Sequence, residues 1–205
     1  MHRLKILNTL VLFLVHWCYF LINRFREASF LLTTSVDYYI PYIPLFGLVY
    51  ISYIPFILLN VWWAYRHLEP TKYSNLIKGM ILIHLIGYGF HLGIPATIQR
   101  PELQIDGLLN WVVNHIYSYD CPSNQTPSLH VACSVFLAYG YQFMTESFVK
   151  RTLAYFWAFM ICISTLVIKQ HYVIDLVTGL VLAGGTGYLL RRRNSIAEQQ
   201  YGDAI

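Results

Sequence analysis

The chain has 205 residues, of which 57% are hydrophobic and only 12% are charged. This balance excludes a water-soluble domain, because a soluble domain of this length would not carry so much apolar surface. The net charge of +4 gives no sign of nucleic-acid binding, so we expect no nucleic acid among the partners.

Apolar runs of about 18 residues or more predict transmembrane helices. Six such runs occur, at about 4–23, 45–65, 76–98, 128–145, 152–168 and 171–190. We therefore predict an all-α, polytopic membrane protein with six transmembrane helices. A single membrane-embedded domain would cover residues 1–190, followed by a polar cytoplasmic tail at 191–205.

The basic residues are distributed unevenly between the two sides of the bilayer. With the amino terminus in the cytoplasm, ten of the fourteen Lys and Arg residues lie on the cytoplasmic side, and the others are Arg24, Arg26, Arg100 and Lys169. This asymmetry satisfies the positive-inside rule. The first apolar segment lacks a small-residue cleavage site, so we interpret it as a retained span and not as a signal peptide.

Two connections on the outer side have interfacial character. The loop at about 24–44 is rich in tyrosine and apolar residues, which suits the aromatic belt of a membrane interface. In the second connection an apolar stripe at helical spacing predicts an amphipathic helix from about 104 to 117, lying on the outer surface. An ordinary buried loop helix is the alternative. The stripe consists of Ile105, Leu108, Leu109, Val112, Val113 and Ile116.

The last predicted span contains four glycines, Gly179, Gly184, Gly185 and Gly187. We interpret them as positions of close helix packing. The tail that follows is polar after its three arginines and is expected to be disordered.

Three polar clusters lie at the outer ends of the spans, at 95–101, 126–130 and 164–175. The last of them contains a carboxylate, Asp175, within an apolar run. Such a carboxylate costs about 2.5–3.5 kcal/mol at a helix centre, so it usually has a partner and a function. His171 lies four residues earlier on the same helix face and can hydrogen-bond to it. A histidine oriented by a carboxylate is typical of an activated nucleophile or base.

The other two clusters suit a phosphate group. Thr126 can cap a helix that has Pro127 at its first position, and the free N–H groups at such a helix start attract phosphate oxygens. Ser128 adds a hydroxyl donor there, and His130 lies in the first turn. Arg100 can clamp a phosphate through two hydrogen bonds.

These residues resemble the three signature motifs of the type 2 phosphatidic acid phosphatase superfamily. The resemblance covers about residues 35–190. The segment from Ser164 to Tyr172 is similar to the branch that contains inositol phosphorylceramide synthases and sphingomyelin synthases. The motifs are Arg100-Pro101, Pro127-Ser128-Leu129-His130, and His171 with Asp175.

The resemblance implies a metal-independent phosphoryl transfer in two steps, with no cofactor. By position, His171 would form a phosphohistidine and Asp175 would orient it. His130 would protonate the leaving alkoxide and later deprotonate water or an acceptor alcohol. Arg100 and Ser128 would hold the phosphoryl oxygens, and the catalytic core would be about 76–190.

Two cationic phosphate ligands of the family pattern are missing. A lysine is often found where this chain has Gly93, and an arginine where it has Thr165. Lys169 lies four residues beyond Thr165, so on a continuous helix it would share the same face one turn nearer the mouth of the site. We therefore predict that Lys169 also binds the substrate phosphate.

We thus predict a lipid phosphatase or phosphotransferase in the lipid bilayer, acting on a lipid phosphate, diphosphate or phosphodiester at the outer face. Water or an alcohol would accept the phosphoryl group, and phospholipids or sphingolipids are the expected substrates. The membrane would be the bacterial cytoplasmic membrane with a periplasmic site, or the ER or Golgi membrane with a lumenal one. Two alternatives stay open. One is a non-catalytic or proton-coupled transporter, and the other is a b-type cytochrome with His84 and His91 as haem ligands.

Overall fold

The computed structural model describes residues 2–25, 30–104, 106–123 and 125–202. These residues form a helical bundle, which confirms the all-α prediction, together with one pair of two-residue strands. The helices are α1 His2–Phe25, α2 Phe46–Ile51, α3 Tyr53–His67, α4 Pro70–Gly93, α5 Leu108–Tyr119, α6 Leu129–Met144, α7 Phe148–Val167 and α8 Val173–Gly202. The strands are β1 Phe30–Leu31 and β2 Ala96–Thr97.

Five segments in the described part of the chain are long and apolar enough to cross a membrane. The predicted sixth span, α6, has only 16 residues, which makes it about 24 Å long. That is shorter than the roughly 30 Å hydrocarbon core of a bilayer, so six spans are not confirmed, although α6 lies where a helix was predicted. The five segments are His2–Asn23, Phe46–His67, Pro70–Gly93, Phe148–Val167 and Val173–Ile196.

The second of these segments is interrupted at Ser52, between α2 and α3. Pro55 lies in the first turn of α3, where a residue without a backbone N–H is tolerated. Proline inside a continuous helix would lose one backbone hydrogen bond, so the chain starts a new helix just before it.

The core of the bundle surrounds α6, which packs against α3, α4, α7 and α8. Phe136 of α6 is fully buried, and its ring occupies the space that a side chain on Gly79 of α4 would need. α1 packs against α4. The short α6 therefore lies inside the bundle, and the longer helices surround it.

The surface of the long helices is strongly apolar. Leu14, Trp17, Phe159 and Val181, for example, are each more than half exposed. Exposing such a surface to water would be unfavourable in free energy, whereas contact with the hydrocarbon of a bilayer carries no such cost. The protein is therefore a multi-pass integral membrane protein.

At one end of the bundle the connections are tied to one another. β1, which follows α1, pairs in parallel with β2, which follows α4, and Thr97 forms a further bridge with Ser123. In the predicted interfacial loop, Tyr38 and Tyr39 are 74% and 86% exposed, as expected for residues at a membrane interface.

The amphipathic helix forms as α5, which begins four residues and ends two residues later than predicted. Gly107 has a φ of +131°, which turns the chain just before the helix, and Ile105 lies outside the described residues. Val113 and Ile116 are buried against Tyr50 and Ile168, so the apolar stripe packs on the bundle. Leu108 at the amino end is 71% exposed. The inner face of α5 is therefore buried, as in the alternative of an ordinary buried loop helix.

Two predictions for α8 need correction. A Cβ on Gly179 or Gly187 would lie close to neighbouring atoms, but Gly184 and Gly185 face open space, so only the first two are close-packing positions. The helix also continues to Gly202, so the expectation of disorder is wrong for residues 191–202, and residues 203–205 lie outside the described residues. The tail is rich in residues with high helix propensity, which lets α8 run on past its apolar part.

Gly179 should be required for the position of α8 against the start of α6. A Cβ at this position would lie 2.8 Å from the backbone oxygen of Ser128, and a backbone atom cannot move aside like a flexible side chain. We expect Gly179→Ala to destabilise the protein by about 1–3 kcal/mol. Gly184→Ala is the matched control, and there the gain in helix propensity should leave the protein unchanged or slightly more stable. Thermal unfolding in detergent measures both, and equal melting temperatures would contradict this packing.

Candidate active site

The carboxylate of Asp175, in the first turn of α8, is buried at the end of the bundle where β1 pairs with β2. It is 1% exposed and accepts hydrogen bonds from the Thr126 hydroxyl and from the backbone N–H of Tyr172. Its Oδ2 lies 3.4 Å from Nδ1 of His171. The backbone carbonyl of Asp175 accepts the N–H of Ser128, which joins the start of α8 to the start of α6.

The turn before α8 brings His171 to this carboxylate. α7 ends at Val167, and Lys169 has a left-handed φ of +55°, which reverses the chain. The carbonyl of Thr165 then accepts hydrogen bonds from the N–H groups of both Gln170 and His171. The position of His171 is thus fixed by its own backbone as well as by Asp175.

The same turn shows that the helical placement predicted for Lys169 is wrong. Because α7 has ended and the backbone is left-handed, Lys169 does not lie one turn above Thr165 on a common face. Its ammonium donates to the carbonyl oxygens of Asp37 and Ile40, at 2.9 and 2.5 Å. Lys169 therefore holds the 3₁₀ turn Ser35–Tyr38 against the site, and its role as a phosphate ligand stays a prediction.

The helix start at α6 differs from the prediction in two details. α6 begins at Leu129, so Pro127 precedes the cap and is not the first helical residue. Ser128, not Thr126, is the N-cap, because its hydroxyl accepts the N–H of Val131 at 3.4 Å. Thr126 instead donates to Asp175. The N–H groups of Leu129 and His130 then have no hydrogen-bond partner among the described residues.

The two predicted catalytic histidines lie close together. The ring centroids of His130 and His171 are 5.9 Å apart, with the ring planes inclined by 59°. His130 is held between the rings of Tyr50 and Tyr53, at 4.6 and 4.4 Å. A group the size of a phosphate can contact both imidazoles at this separation.

A second carboxylate, Asp120, lies beside His130. Oδ1 accepts hydrogen bonds from the Tyr19 hydroxyl and the Asn23 amide, at 2.5 and 2.9 Å. Oδ2 accepts from Gln170 at 2.7 Å and from the Tyr50 hydroxyl at 3.2 Å. Since the Tyr50 hydroxyl donates to Asp120, its oxygen is free to accept from Nδ1 of His130, 3.5 Å away. Asp120 thus orients His130 through Tyr50.

The environment of Asp120 favours its charged form. Burial alone would raise the pKa of Asp120, but the His130 imidazole, the hydrogen bonds from Tyr19 and Gln170, and the Arg100 guanidinium together lower it. Asp120 is therefore a carboxylate at neutral pH and places a fixed negative charge beside His130.

Arg100 lies next to this cluster, with its guanidinium over the Tyr117 ring at 4.4 Å. Nη1 and Nη2 donate to the backbone carbonyls of Tyr117 and Asp120, at 3.1 and 2.6 Å. Burial lowers the pKa of Arg100, and the nearby Asp120 carboxylate opposes this effect. The guanidinium has five N–H donors, so donors are left for a further ligand.

The arrangement of the other membrane histidines does not suit a haem. His84 already bonds the Met80 carbonyl through Nδ1 and His16 through Nε2, and His91 Nε2 lies 3.2 Å from the Pro127 carbonyl. Among the described residues, no group of three or more His, Cys, Asp or Glu side chains is placed to hold a metal ion.

A cavity of about 470 Å³ adjoins the site between α1, α2, α3 and α5. Most of its lining is aromatic or aliphatic, and His130 and Asp120 lie in its wall. Phe20, Ile54 and Trp111 line it while remaining 42%, 59% and 48% exposed. The cavity therefore opens through the apolar surface that the bilayer covers.

A family model described as the PAP2 superfamily matches residues 38–189 of the chain. The chain belongs to the PAP2 superfamily. The match includes both histidines and both carboxylates described above, and it fits a membrane protein of the phosphatase type, since members are typically phosphoesterases. A search of curated proteins and a search of solved structures found no match. The narrower resemblance to the phosphorylceramide and sphingomyelin synthase branch stays a prediction.

The residues that sequence reasoning missed in this PAP2 protein are Asp120, Tyr50 and Asp37. Asp37 accepts the N–H of Val173 at 2.8 Å and so caps α8 from a distant loop. Asp120 could have been identified from the sequence, because it is an acidic residue that directly follows the amphipathic helix and lies ten residues before His130. Nothing in the sequence pattern singles out Tyr50 among the tyrosines of the chain.

Replacing Asp120 should produce a pH-dependent loss of stability. Four donors surround this carboxylate, and an asparagine would keep only one acceptor oxygen, so we expect Asp120→Asn to lower the melting temperature near neutral pH. The folded-state pKa of Asp120 is lowered, so its stabilising effect is complete above the unfolded-state pKa of about 4 and is lost as pH falls through the lower folded value. The difference in melting temperature should therefore shrink in acid. Glu146→Gln, at an exposed carboxylate, is the control, and a difference independent of pH would contradict this interpretation.

Lys169→Met separates a structural role from a phosphate-binding role. We expect it to lower the free energy of unfolding by about 1–3 kcal/mol, since two carbonyls lose a charged donor. Thermal unfolding and the KM for a lipid phosphate measure the two roles, with Lys150→Met as the control at the other end of α7. A higher KM at unchanged stability would favour the phosphate role, and an unchanged KM would exclude it.

Proposed function

We propose that the chain is an integral-membrane lipid phosphatase or phosphotransferase that acts through a phosphohistidine at His171. The substrate would be a membrane lipid with a phosphate monoester, diphosphate or phosphodiester. The observation that carries the proposal is the pair of imidazoles 5.9 Å apart, each held at Nδ1 by a carboxylate, directly for His171 and through Tyr50 for His130.

In the first half-reaction, Nε2 of His171 attacks the phosphorus atom. Its lone pair forms the N–P bond while the bond from phosphorus to the leaving oxygen breaks. Asp175 accepts the hydrogen bond from Nδ1, so it fixes the tautomer with a free Nε2 and stabilises the positive charge that develops on the ring. His130 in its protonated form gives the leaving oxygen a proton.

The second half-reaction uses the same groups in reverse. His130, now neutral, takes a proton from water or an alcohol, whose oxygen attacks the phosphohistidine and breaks the N–P bond. With water as the phosphoryl acceptor the protein acts as a phosphatase, and with an alcohol as the acceptor it acts as a phosphotransferase. Both share the first half-reaction, so the same site serves either.

The phosphoryl oxygens have donors available on two sides. The N–H groups of Leu129 and His130 have no protein partner among the described residues, and they lie at the positive end of the α6 dipole. Arg100 keeps donors beyond the two that bind carbonyls. These groups would stabilise the negative charge of the transferring phosphoryl group.

The cavity beside His130 suits the apolar part of a lipid. Its volume of about 470 Å³ is within the usual range for small-ligand pockets, and its lining is mainly apolar. Because it opens through the bilayer-facing surface, a lipid could move into it without leaving the membrane.

We further propose that the site faces the outer side of the membrane, in the periplasm or in the ER or Golgi lumen. The basis is the distribution of charge, with most Lys and Arg residues at the other end of the bundle. Lys5, for example, donates to the Tyr65 and Leu68 carbonyls at the end of α3.

The proposal predicts different losses for the two histidines. His171→Ala should abolish phosphate release from a lipid phosphate, a decrease of at least about 10³-fold, because no nucleophile is left. His130→Ala should slow turnover by about 10² to 10⁴-fold, because the leaving oxygen loses its acid. The measurements are phosphate release from a panel of lipid phosphates, with and without alcohol acceptors, and detection of an acid-labile phosphoenzyme.

The control is His67→Ala, an exposed histidine at the opposite end of the bundle, which should keep full activity. Activity should also survive a chelator such as EDTA. Normal turnover by His171→Ala would contradict the mechanism. Binding of lipid phosphates by the wild type without any turnover would instead favour a non-catalytic carrier.

A further inference from the structure

We propose that His16 Nε2 is a hydrogen-bond acceptor inside the lipid cavity, selecting lipids that carry a free hydroxyl or amide N–H close to their phosphate. This inference deepens the proposed function and rests on it for the presence of a phosphate. It concerns a part of the cavity that takes no part in phosphoryl transfer.

The starting point is a pair of histidines in the cavity wall. His16 of α1 and His84 of α4 both line the cavity that also contains His130. His16 Nδ1 lies 3.1 Å from His84 Nε2, with the two rings edge to face. Around them the lining is largely aromatic and aliphatic, so polar ring atoms stand out in this wall.

The hydrogen bonds fix the direction of each proton along this pair. His84 Nδ1 lies 2.8 Å from the Met80 carbonyl, which can only accept, so Nδ1 carries the proton. In a neutral His84 the other nitrogen, Nε2, is then an acceptor. His16 must therefore donate through its Nδ1, which leaves its own Nε2 with a lone pair and no proton.

His16 Nε2 has no hydrogen-bond partner among the described residues, although the rest of the pair is fully bonded. His16 is only half-buried and lines the cavity, so an occupant can reach this atom. A lone pair in an apolar cavity binds a donor and gains nothing from a carbonyl or an ether oxygen. The chemistry that fits is thus O–H or N–H.

The depth of the pair suits the linkage region of a lipid. His84 precedes His91 by seven residues on α4, which places it about 10 Å deeper along the helix axis. His91 itself contacts the Pro127 carbonyl at the start of α6, level with the phosphoryl site. A donor at this depth would belong to the atoms that connect the phosphate to the hydrocarbon chains. Fully esterified glycerol lipids and polyisoprenoid phosphates have no such donor.

The experiment compares lipids that differ only in the donor. One pair is a 1-acyl-2-hydroxy-glycerol 3-phosphate and its 2-methoxy analogue, and the other is ceramide 1-phosphate and its N-methyl analogue. The first pair tests the hydroxyl and the second tests the amide N–H. Equilibrium binding to the purified full chain is measured by displacement of a fluorescent lipid phosphate. In at least one pair, the donor lipid should bind the wild type about fivefold to tenfold more tightly.

Three variants test whether His16 is the cause of the tighter binding of the donor lipid. His16→Phe keeps a ring but removes the acceptor, so the two lipids of a pair should then bind about equally tightly. His16→Gln keeps an acceptor and should retain part of the preference. Phe20→Leu changes the apolar wall one turn away, and it should alter the affinity for both members of a pair equally.

Equal binding of the two lipids by the wild type, in both pairs, would overturn the inference. An unchanged preference for the donor lipid in His16→Phe would also overturn it, and so would loss of that preference in Phe20→Leu. If His16→Phe does not give a folded protein by size exclusion, His16→Leu is the second variant without an acceptor. Phosphate release is measured in parallel. If phosphate is released but the two lipids of each pair bind equally tightly, this inference alone is contradicted. If the donor lipid binds more tightly but no phosphate is released, the proposed function alone is contradicted.

Discussion

The buried carboxylate of Asp175 is the interaction on which the arrangement of the site depends. Its side chain is bonded to Thr126, Tyr172 and His171, and its backbone carbonyl binds the N–H of Ser128. One residue therefore orients a histidine and also joins the first turns of α6 and α8. Gly179, one turn further along α8, has no side chain, which lets the two helices approach closely enough for these bonds. A buried carboxylate of this kind is stable because nearly every lone pair has a donor.

A second carboxylate repeats this pattern for the other histidine. Asp120 collects donors from α1, α2 and the turn before α8, and through Tyr50 it reaches His130. Each imidazole is thus held at Nδ1, so the two Nε2 atoms are left for a common ligand. The tying of distant loops by Asp37 and Lys169 keeps the turn that carries His171 in place.

Much of the fold and part of the site could be predicted from the sequence, because apolar runs and helix periodicity are local signals. The spacing of His171 and Asp175 on one helix face is local in the same way, and so is the position of His130 in the first turn of α6. Contacts between distant segments are different. The bond from Thr126 to Asp175, the cap that Asp37 provides for α8, and the path from Asp120 to His130 depend on how loops fold over one another. The helical placement predicted for Lys169 was wrong for the same reason, since α7 ends at Val167 and Lys169 has a left-handed backbone.

The opening of the cavity through the apolar flank has a consequence for how the protein meets its ligands. A molecule that enters there arrives by lateral diffusion within one leaflet and never crosses the aqueous phase. Occupancy then follows the mole fraction of that molecule in the leaflet, and its bulk concentration matters little. Adding inert detergent or lipid at constant total ligand would lower occupancy, since it dilutes the ligand in two dimensions.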